Sequence, residues 1–217
     1  MDQLYIDSVQ HSLGSKNVLN NVYLQCDIGE IIGILGRNGC GKSTLLKIIF
    51  GTIKPNFKHL KIDEQIIDKA YLTGKVAYLS QAFFIPHYLK LSVAVALYTN
   101  LHQTKLMNLE LINSNLNQPI GKLSGGYRRF VEALLLIYSD AKFVLLDEPF
   151  SQLSPQLIDE LKVHINVMQP HKGFIVTDHY YQQIVDISSK ITLINHGCNY
   201  HINTIDDLIL HGYLPNR

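Results

Sequence analysis

The chain has 217 residues, of which 47% are hydrophobic and 17% are charged, and its formal net charge is +1. This composition is typical of a globular protein with one substantial core, and the near-neutral charge argues against nucleic acid or anionic lipid as the principal partner. The three cysteines lie far apart, and no apolar run approaches the ~20 residues needed to cross a bilayer. We therefore expect a soluble protein without a disulfide framework, which reaches a membrane only through a partner.

The N-terminal part of the chain predicts β-strands. Residues 4–9 and 22–26 are strand-like, with turn residues between them. Residues 30–35 follow as a short apolar run that is rich in β-branched side chains, which favours a third strand.

A glycine-rich loop follows this third strand at once. Residues 36–44 read GRNGCGKST, which matches the phosphate-loop pattern G-x-x-x-x-G-K-[ST], and residues 45–50 carry a helix-compatible apolar pattern. A strand, a glycine loop and a helix N-terminus aim backbone N–H groups and the positive helix end at one anion. Lys42 would reach the β- and γ-phosphates, and the Ser43 hydroxyl would ligate Mg²⁺. The alternative, a chance glycine-rich turn, is disfavoured by the flanking elements. The residues predicted to bind a nucleoside triphosphate here are Gly36, Arg37, Asn38, Gly39, Cys40, Gly41, Lys42, Ser43 and Thr44.

A change of composition after the next strand predicts a helical lobe. Residues 76–79 are strand-like and end just before Gln81. From residue 86 to about residue 118 the chain is richer in Leu, Asn and Ser, with helical apolar spacing. We predict a small helical lobe, approximately residues 85–140, inserted in the core of a single domain that spans residues 1–217.

The second half of the chain alternates strands and helices. Residues 143–146 are an unbroken apolar run that ends in Asp147 and Glu148, as expected for a strand buried in a parallel sheet. Ser154 and Pro155 predict a helix N-terminus. Further strands are predicted at residues 174–177 and 191–194, which together indicate an α/β core.

Taken in chain order, the phosphate loop, the glycine-rich motif Leu123-Ser124-Gly125-Gly126 and the acidic strand end resemble the nucleotide-binding subunit of ATP-binding cassette (ABC) ATPases. The resemblance covers nearly the whole chain. It implies an α/β fold with a phosphate-loop NTPase core, N-terminal antiparallel β-strands and an inserted small helical lobe. It also implies an ATPase that uses ATP and Mg²⁺.

The resemblance assigns catalytic roles to Glu148, His179, Gln81 and Lys42. Glu148 would be the general base, while Gln81 and His179 would contact the γ-phosphate. Ser43, Gln81 and Asp147 would hold Mg²⁺, the aspartate through the water shell of the ion. Taken alone, the glutamate could be a surface acid, the glutamine any polar loop residue and the histidine a structural residue.

The resemblance also implies partners. Ser124, Gly125 and Gly126 would complete the ATP site of a second ATPase subunit, in a homodimer or a heterodimer. Separate transmembrane transporter subunits would dock on residues 81–116 and hold the chain, otherwise cytoplasmic, at the inner face of the cell membrane. No nucleic acid is expected.

Three residues depart from the family's pattern. Tyr127 stands where a Gln or Glu is common, and Ser154 stands where an Asp couples the two sites. Leu13 takes the place of the aromatic residue on which adenine stacks, with His11 as an alternative platform. Leu13 predicts weaker or less base-selective nucleotide binding, because an aliphatic face gives less than the ~1–3 kcal/mol of base–aromatic stacking. Ser154 predicts altered communication between the two sites.

The leading hypothesis is therefore an ATP hydrolase that drives a membrane transporter. Its alternatives are a nucleotide-dependent switch with slow hydrolysis and a soluble ABC-type ATPase without a transport role. Arg128 and Arg129 are interpreted either as residues of the glycine-motif face or as a solvated helix start.

Overall fold

The strands of this chain form two sheets in the computed structural model, which describes residues 2–215. The ends of the predicted domain range, residues 1, 216 and 217, lie outside the described residues. The strands are β1 (Gln3–Leu13), β2 (Lys16–Asp27), β3 (Ile31–Leu35), β4 (Phe57–Ile62), β5 (Gln65–Ile66), β6 (Val76–Leu79), β7 (Phe143–Asp147), β8 (Gly173–Thr177), β9 (Lys190–Asn195) and β10 (Cys198–Ile202). The α-helices are α1 (Lys42–Phe50), α2 (Leu91–Tyr98), α3 (Gln103–Met107), α4 (Glu110–Asn115), α5 (Gly125–Ile137), α6 (Pro155–Met168), α7 (Tyr181–Ile187) and α8 (Ile205–Leu210).

The antiparallel sheet has the order β2-β1-β4-β5 and includes both predicted N-terminal strands. These strands are longer than predicted and form a hairpin. The predicted first strand ends at Val9, next to a shift in the pairing register between Ile6 and Val9, where Ser8 has φ +52. An irregularity of this kind interrupts the alternation of buried and exposed side chains from which a strand is recognised.

The second sheet has the order β10-β9-β3-β8-β7-β6, and its strands are parallel except for β10. Every residue of β3, β7 and β8 is buried, which confirms the prediction made from the unbroken apolar run of β7. Because these strands are parallel, the loops that follow β3, β6, β7 and β8 meet at one edge of the sheet.

The two faces of the parallel sheet belong to two apolar cores. One face packs against α1 and the antiparallel sheet, and the other packs against α5, α6, α7 and the helical lobe. Neighbouring residues of β3 alternate between them, since Ile32 and Ile34 face the first core while Ile31 and Leu35 face the second. The helix that follows the phosphate loop and the helical lobe are therefore packed on opposite faces of the parallel sheet.

The helical lobe between β6 and α5 contains three short helices. The region of predicted helical apolar spacing, from residue 86 to about residue 118, contains α2, α3 and α4. Among residues 2–215, no helix is both long and apolar enough to cross a bilayer.

Candidate functional site

The phosphate loop is shaped by glycines in conformations that other residues avoid. Gly36 has φ +153 and Gly41 has φ +110. A Cβ atom on Gly36 would lie 2.6 Å from the Ile194 carbonyl oxygen, and one on Gly41 would lie 2.8 Å from Leu19 Cδ2. No side chain caps the N-terminus of α1, which begins at Lys42, so its first amides remain available to an anion.

The Lys42 side chain is held inside the bend of this loop. It is 6% exposed, and its ammonium group donates to the carbonyl oxygens of Gly36 at 2.7 Å and Arg37 at 3.4 Å. Both partners are neutral oxygens. The charge of the lysine is therefore placed at the loop without being neutralised by these contacts, as an anion-binding lysine requires.

Three oxygen-bearing side chains, those of Ser43, Tyr78 and Asp147, meet beside the loop. Ser43 Oγ donates to Asp147 Oδ1 at 2.9 Å, and Tyr78 Oη donates to Asp147 Oδ2 at 3.0 Å. Burial raises the pKa of Asp147, and these two hydrogen bonds oppose that rise. Gln81 Nε2 lies 3.3 Å from Ser43 Oγ. Hydroxyl, carboxylate and amide oxygens are ligands that Mg²⁺ prefers, so these residues fit the predicted metal.

The side chains of Glu148, Gln81 and His179 form a second hydrogen-bonded group. Glu148 Oε1 accepts from Gln81 Nε2 at 2.8 Å and lies 2.7 Å from His179 Nε2. Glu148 has φ +54, a left-handed conformation that is unusual for a residue with a Cβ atom. The chain turns at this residue, so that the carboxylate of Asp147 contacts Ser43 while that of Glu148 contacts Gln81 and His179.

A cleft of about 420 Å³ connects the loop with Ser43 of the first group and with all three side chains of the second, whereas Asp147 and Tyr78 lie outside its lining. This volume is within the usual range for small-molecule sites. The lining residues are Leu13, Lys16, Val18, Asn38, Gly39, Gly41, Lys42, Ser43, Thr44, Gln81, Glu148 and His179. Of the residues predicted to bind nucleotide, Gly36, Arg37 and Cys40 do not line it, and the Arg37 guanidinium donates instead to the Gly212 carbonyl oxygen at 2.8 Å.

The predicted glycine motif lies outside this cleft. Ser124 is the N-cap of α5, where its hydroxyl accepts from the Tyr127 N–H at 3.4 Å, and both Ser124 and Gly125 are exposed. A Cβ atom on Gly126 would lie 2.8 Å from the Gln152 carbonyl oxygen. The exposed helix start is thus free to meet a second molecule. Ser154 likewise caps a helix, since its hydroxyl accepts from the Leu157 N–H.

Leu13 lies at the rim of the cleft and is 62% exposed. His11 is only 7% exposed, and neither ring nitrogen has a hydrogen-bond partner. Because a buried ring cannot stack on a ligand, the interpretation of His11 as an alternative platform is wrong.

Replacing Leu13 with Trp is expected to tighten ATP binding about 5- to 150-fold, because base–aromatic stacking contributes ~1–3 kcal/mol. The measurement is the Kd for ATP by calorimetry, with Leu210→Trp on the exposed surface of α8 as the matched control. An unchanged Kd in Leu13→Trp would show that the base binds elsewhere.

Two site residues were missed in the sequence. The Arg129 side chain is 3% exposed, so its interpretation as part of a solvated helix start is wrong. Tyr78 was treated only as part of a strand. The position of Tyr78 could have been predicted, because it lies three residues before Gln81 on a strand that ends at the site. No local pattern indicated the burial of the arginine.

The comparisons with known proteins agree with this geometry. The ABC transporter family model matches residues 19–151. The ribose import ATP-binding protein RbsA of Lacticaseibacillus paracasei is 29% identical over 216 residues, which cover 90% of this chain and 43% of RbsA. The choline transport ATP-binding protein OpuBA of Bacillus subtilis is 27% identical, with 90% of this chain and 56% of OpuBA covered. The chain thus spans less than two thirds of the length of either relative.

A solved structure has the same fold. The nucleotide-free ATP-binding cassette from an ABC transporter superposes with a TM-score of 0.82 at 17% identity, over 99% of this chain and 96% of that chain. The predicted α/β fold, with its N-terminal antiparallel strands and inserted helical lobe, is therefore confirmed.

Proposed function

Because this chain belongs to the ABC transporter family, we propose that it is the ATP-binding and ATP-hydrolysing subunit of a membrane transporter. The observation that carries the proposal is the position of the Glu148 carboxylate. It lies in the same cleft as the phosphate loop and is held by Gln81 and His179 at 2.8 and 2.7 Å. A fixed acid beside an anion-binding loop is what hydrolysis of a phosphoanhydride requires.

The geometry supports separate roles in phosphate binding, Mg²⁺ binding and proton transfer for the residues at the cleft. The amides at the start of α1 and the Lys42 ammonium bind the phosphates of ATP. Ser43, Asp147 and Gln81 would hold Mg²⁺, which neutralises charge on the phosphate oxygens when it is bound. Glu148 accepts the proton of the attacking water. Catalysis then consists mainly of positioning and of charge stabilisation.

A second subunit completes the site in this proposal. Ser124 and Gly125 lie exposed at the N-terminus of α5, where helix amides face outward. They would bind ATP held by the phosphate loop of a second ATPase subunit, so that ATP drives dimerisation. The partner is either a second copy or a homologous chain.

The binding surface for the transmembrane subunits is proposed to be an apolar groove of about 650 Å³ between β6 and α2. The groove includes Leu97, which is 68% exposed, together with Tyr78, Ser80 and Phe84. It adjoins the site, because the Tyr78 hydroxyl donates to Asp147. Docking here would hold the chain at the inner face of the membrane.

Replacing Leu97 with Glu is expected to release the chain from native membranes, because burying an unpaired carboxylate in an apolar interface is costly. Co-sedimentation with membranes measures this, and the matched control is Leu210→Glu on α8, which is also exposed but lies outside the groove. The ATPase activity of the isolated variant should stay within about twofold of wild type, because Leu97 does not line the ATP cleft and a surface substitution changes folding stability little. Unchanged sedimentation would contradict the assignment of the groove.

The rate of ATP hydrolysis tests the proposed function. The purified chain is expected to release phosphate from ATP only when Mg²⁺ is present. A nucleotide-dependent switch with slow hydrolysis is the second candidate, favoured by the aliphatic Leu13 at the cleft rim and by Ser154 acting as a helix cap. Equal, negligible rates for wild type and Glu148→Gln would favour the switch. Hydrolysis by a chain that never co-sediments with membranes would favour a soluble ABC-type ATPase.

A further inference from the structure

The guanidinium group of Arg129 joins the ends of two neighbouring strands. Its Nη1 donates to the carbonyl oxygen of Ser80, directly before Gln81. Its Nη2 donates to the carbonyl oxygens of Asp147 at 2.6 Å and Glu148 at 3.1 Å. A single side chain therefore holds the backbone that precedes Gln81 and the backbone of Glu148 itself.

These contacts lie on a strained part of the chain. Glu148 has φ +54, and such a conformation persists only where the surroundings over-determine it. Its N–H donates to the Thr177 carbonyl oxygen at 2.7 Å, and its C=O accepts from Arg129. Both backbone polar groups are thus fixed, and the side chain is left pointing at Gln81 and His179.

The charge of Arg129 also matches its surroundings. Burial lowers the pKa of Arg129, and the carboxylates around it oppose that change, namely Glu132, Asp147, Asp178 and Glu148. A buried cation is tolerated when it is hydrogen-bonded, and Arg129 donates to three carbonyl oxygens while the surrounding carboxylates favour its charged form. The planar, forked guanidinium reaches several acceptors at once, which an ammonium group cannot do in the same geometry.

We propose that Arg129 is a positioning residue that sets the side chains of Gln81 and Glu148 opposite each other in the cleft. The proposal rests on the proposed function, since it assigns Arg129 a role in ATP hydrolysis. Arg129 acts through the carbonyl oxygens of Ser80, Asp147 and Glu148 and does not itself touch the substrate. Loss of the guanidinium lets the two backbone segments move apart, and the distance of 2.8 Å between Gln81 Nε2 and Glu148 Oε1 is no longer maintained.

The test compares wild type with Arg129→Gln and Arg129→Lys. In Arg129→Gln, kcat for Mg-ATP is expected to fall about 10- to 100-fold, because a misplacement of about 1 Å at a reacting group costs on this order. KM and the Kd for Mg-ATP should stay within about threefold of wild type, since the phosphate loop is untouched. Arg129→Lys keeps the charge but has a single donor nitrogen in place of the guanidinium fork, and it should recover part of the lost kcat.

Arg128→Gln is the matched control. It removes the same charge from the adjacent position of α5, where the side chain contacts Glu132 and the Ile85 carbonyl oxygen rather than β7. A second measurement, made in the absence of nucleotide, is the NMR chemical shift of the ¹⁵N-labelled side-chain amide of Gln81. It should change in Arg129→Gln and stay the same in Arg128→Gln.

Several results would overturn the proposal. A wild-type kcat per folded molecule in Arg129→Gln, or a rise in KM with unchanged kcat, would assign Arg129 a different role. If neither Arg129 variant folds, as judged by circular dichroism, the residue serves the core and the proposal is abandoned. If the wild type does not turn over Mg-ATP, the proposed function fails, while the Gln81 resonance still decides whether Arg129 positions the glutamine.

Discussion

Glu148→Gln is expected to lower kcat for ATP about 100- to 10,000-fold, the usual contribution of a positioned general base. The amide has nearly the same shape as the carboxylate but cannot accept a proton from water. The Glu148 carboxylate oxygen lies 2.8 Å from Gln81 Nε2 and 2.7 Å from His179 Nε2, and the amide oxygen of the variant can still accept from these groups. The phosphate loop is unaffected, so ATP should bind with a Kd within about threefold of wild type.

The measurement is steady-state phosphate release, paired with equilibrium binding of ATP. Glu160→Gln supplies the control, because Glu160 lies on α6 and its exposed side chain is outside the cleft. A Glu148→Gln variant that keeps more than about a tenth of the wild-type kcat would exclude the glutamate as the general base. A parallel loss of ATP binding would instead show that the carboxylate supports the structure of the cleft.

Much of the fold could be predicted because its local patterns are strong. Strand β3 consists of five apolar residues, and β7 consists of four apolar residues and Asp147. The phosphate loop follows the first strand, and Glu148 follows the second. Because both strands belong to one parallel sheet, their carboxyl ends lie at the same edge, whatever the sequence between them. For the same reason, the close approach of Ser43 and Asp147 followed from the motifs, although 104 positions separate the two residues.

The parts of the site that could not be predicted depend on contacts between distant segments. Arg129 meets the Ser80 carbonyl oxygen across 49 positions of sequence and the Asp147 carbonyl oxygen across 18. Backbone carbonyl oxygens are present at every residue, so no side-chain pattern marks them as partners. An arginine pair at a helix start therefore predicts exposure, and only the packing of α5 against the sheet shows that one member of the pair is buried.

The burial of His11 was missed for a related reason. It pairs with Leu19 in the hairpin of β1 and β2, after the register shifts that also obscured the length of the strand. A residue that follows such an irregularity changes face, so alternation counted from Leu4 no longer gives its orientation. At the cleft rim this leaves Leu13 without an aromatic neighbour from this strand.

Lys42→Met is expected to weaken ATP binding about 10- to 150-fold, which corresponds to the ~1.5–3 kcal/mol of a hydrogen bond to a charged group. The ammonium group contacts the carbonyl oxygens of Gly36 and Arg37, both neutral, so phosphate oxygens can replace these partners without breaking an ion pair. Methionine keeps the aliphatic length of the side chain and removes only the charge and the donors. The variant should therefore fold normally.

The loss of binding should depend on the number of phosphates, because the lysine is expected to reach the β- and γ-phosphates. Calorimetric Kd values for ATP and AMP measure this, with Lys105→Met, an exposed lysine of α3, as the matched control. ATP binding should weaken in Lys42→Met while AMP binding stays unchanged. Equal weakening for both nucleotides would mean that the loop itself has lost its shape, and a wild-type Kd for ATP would mean that the triphosphate binds without the lysine. Either result would contradict the role that the geometry gives to this side chain.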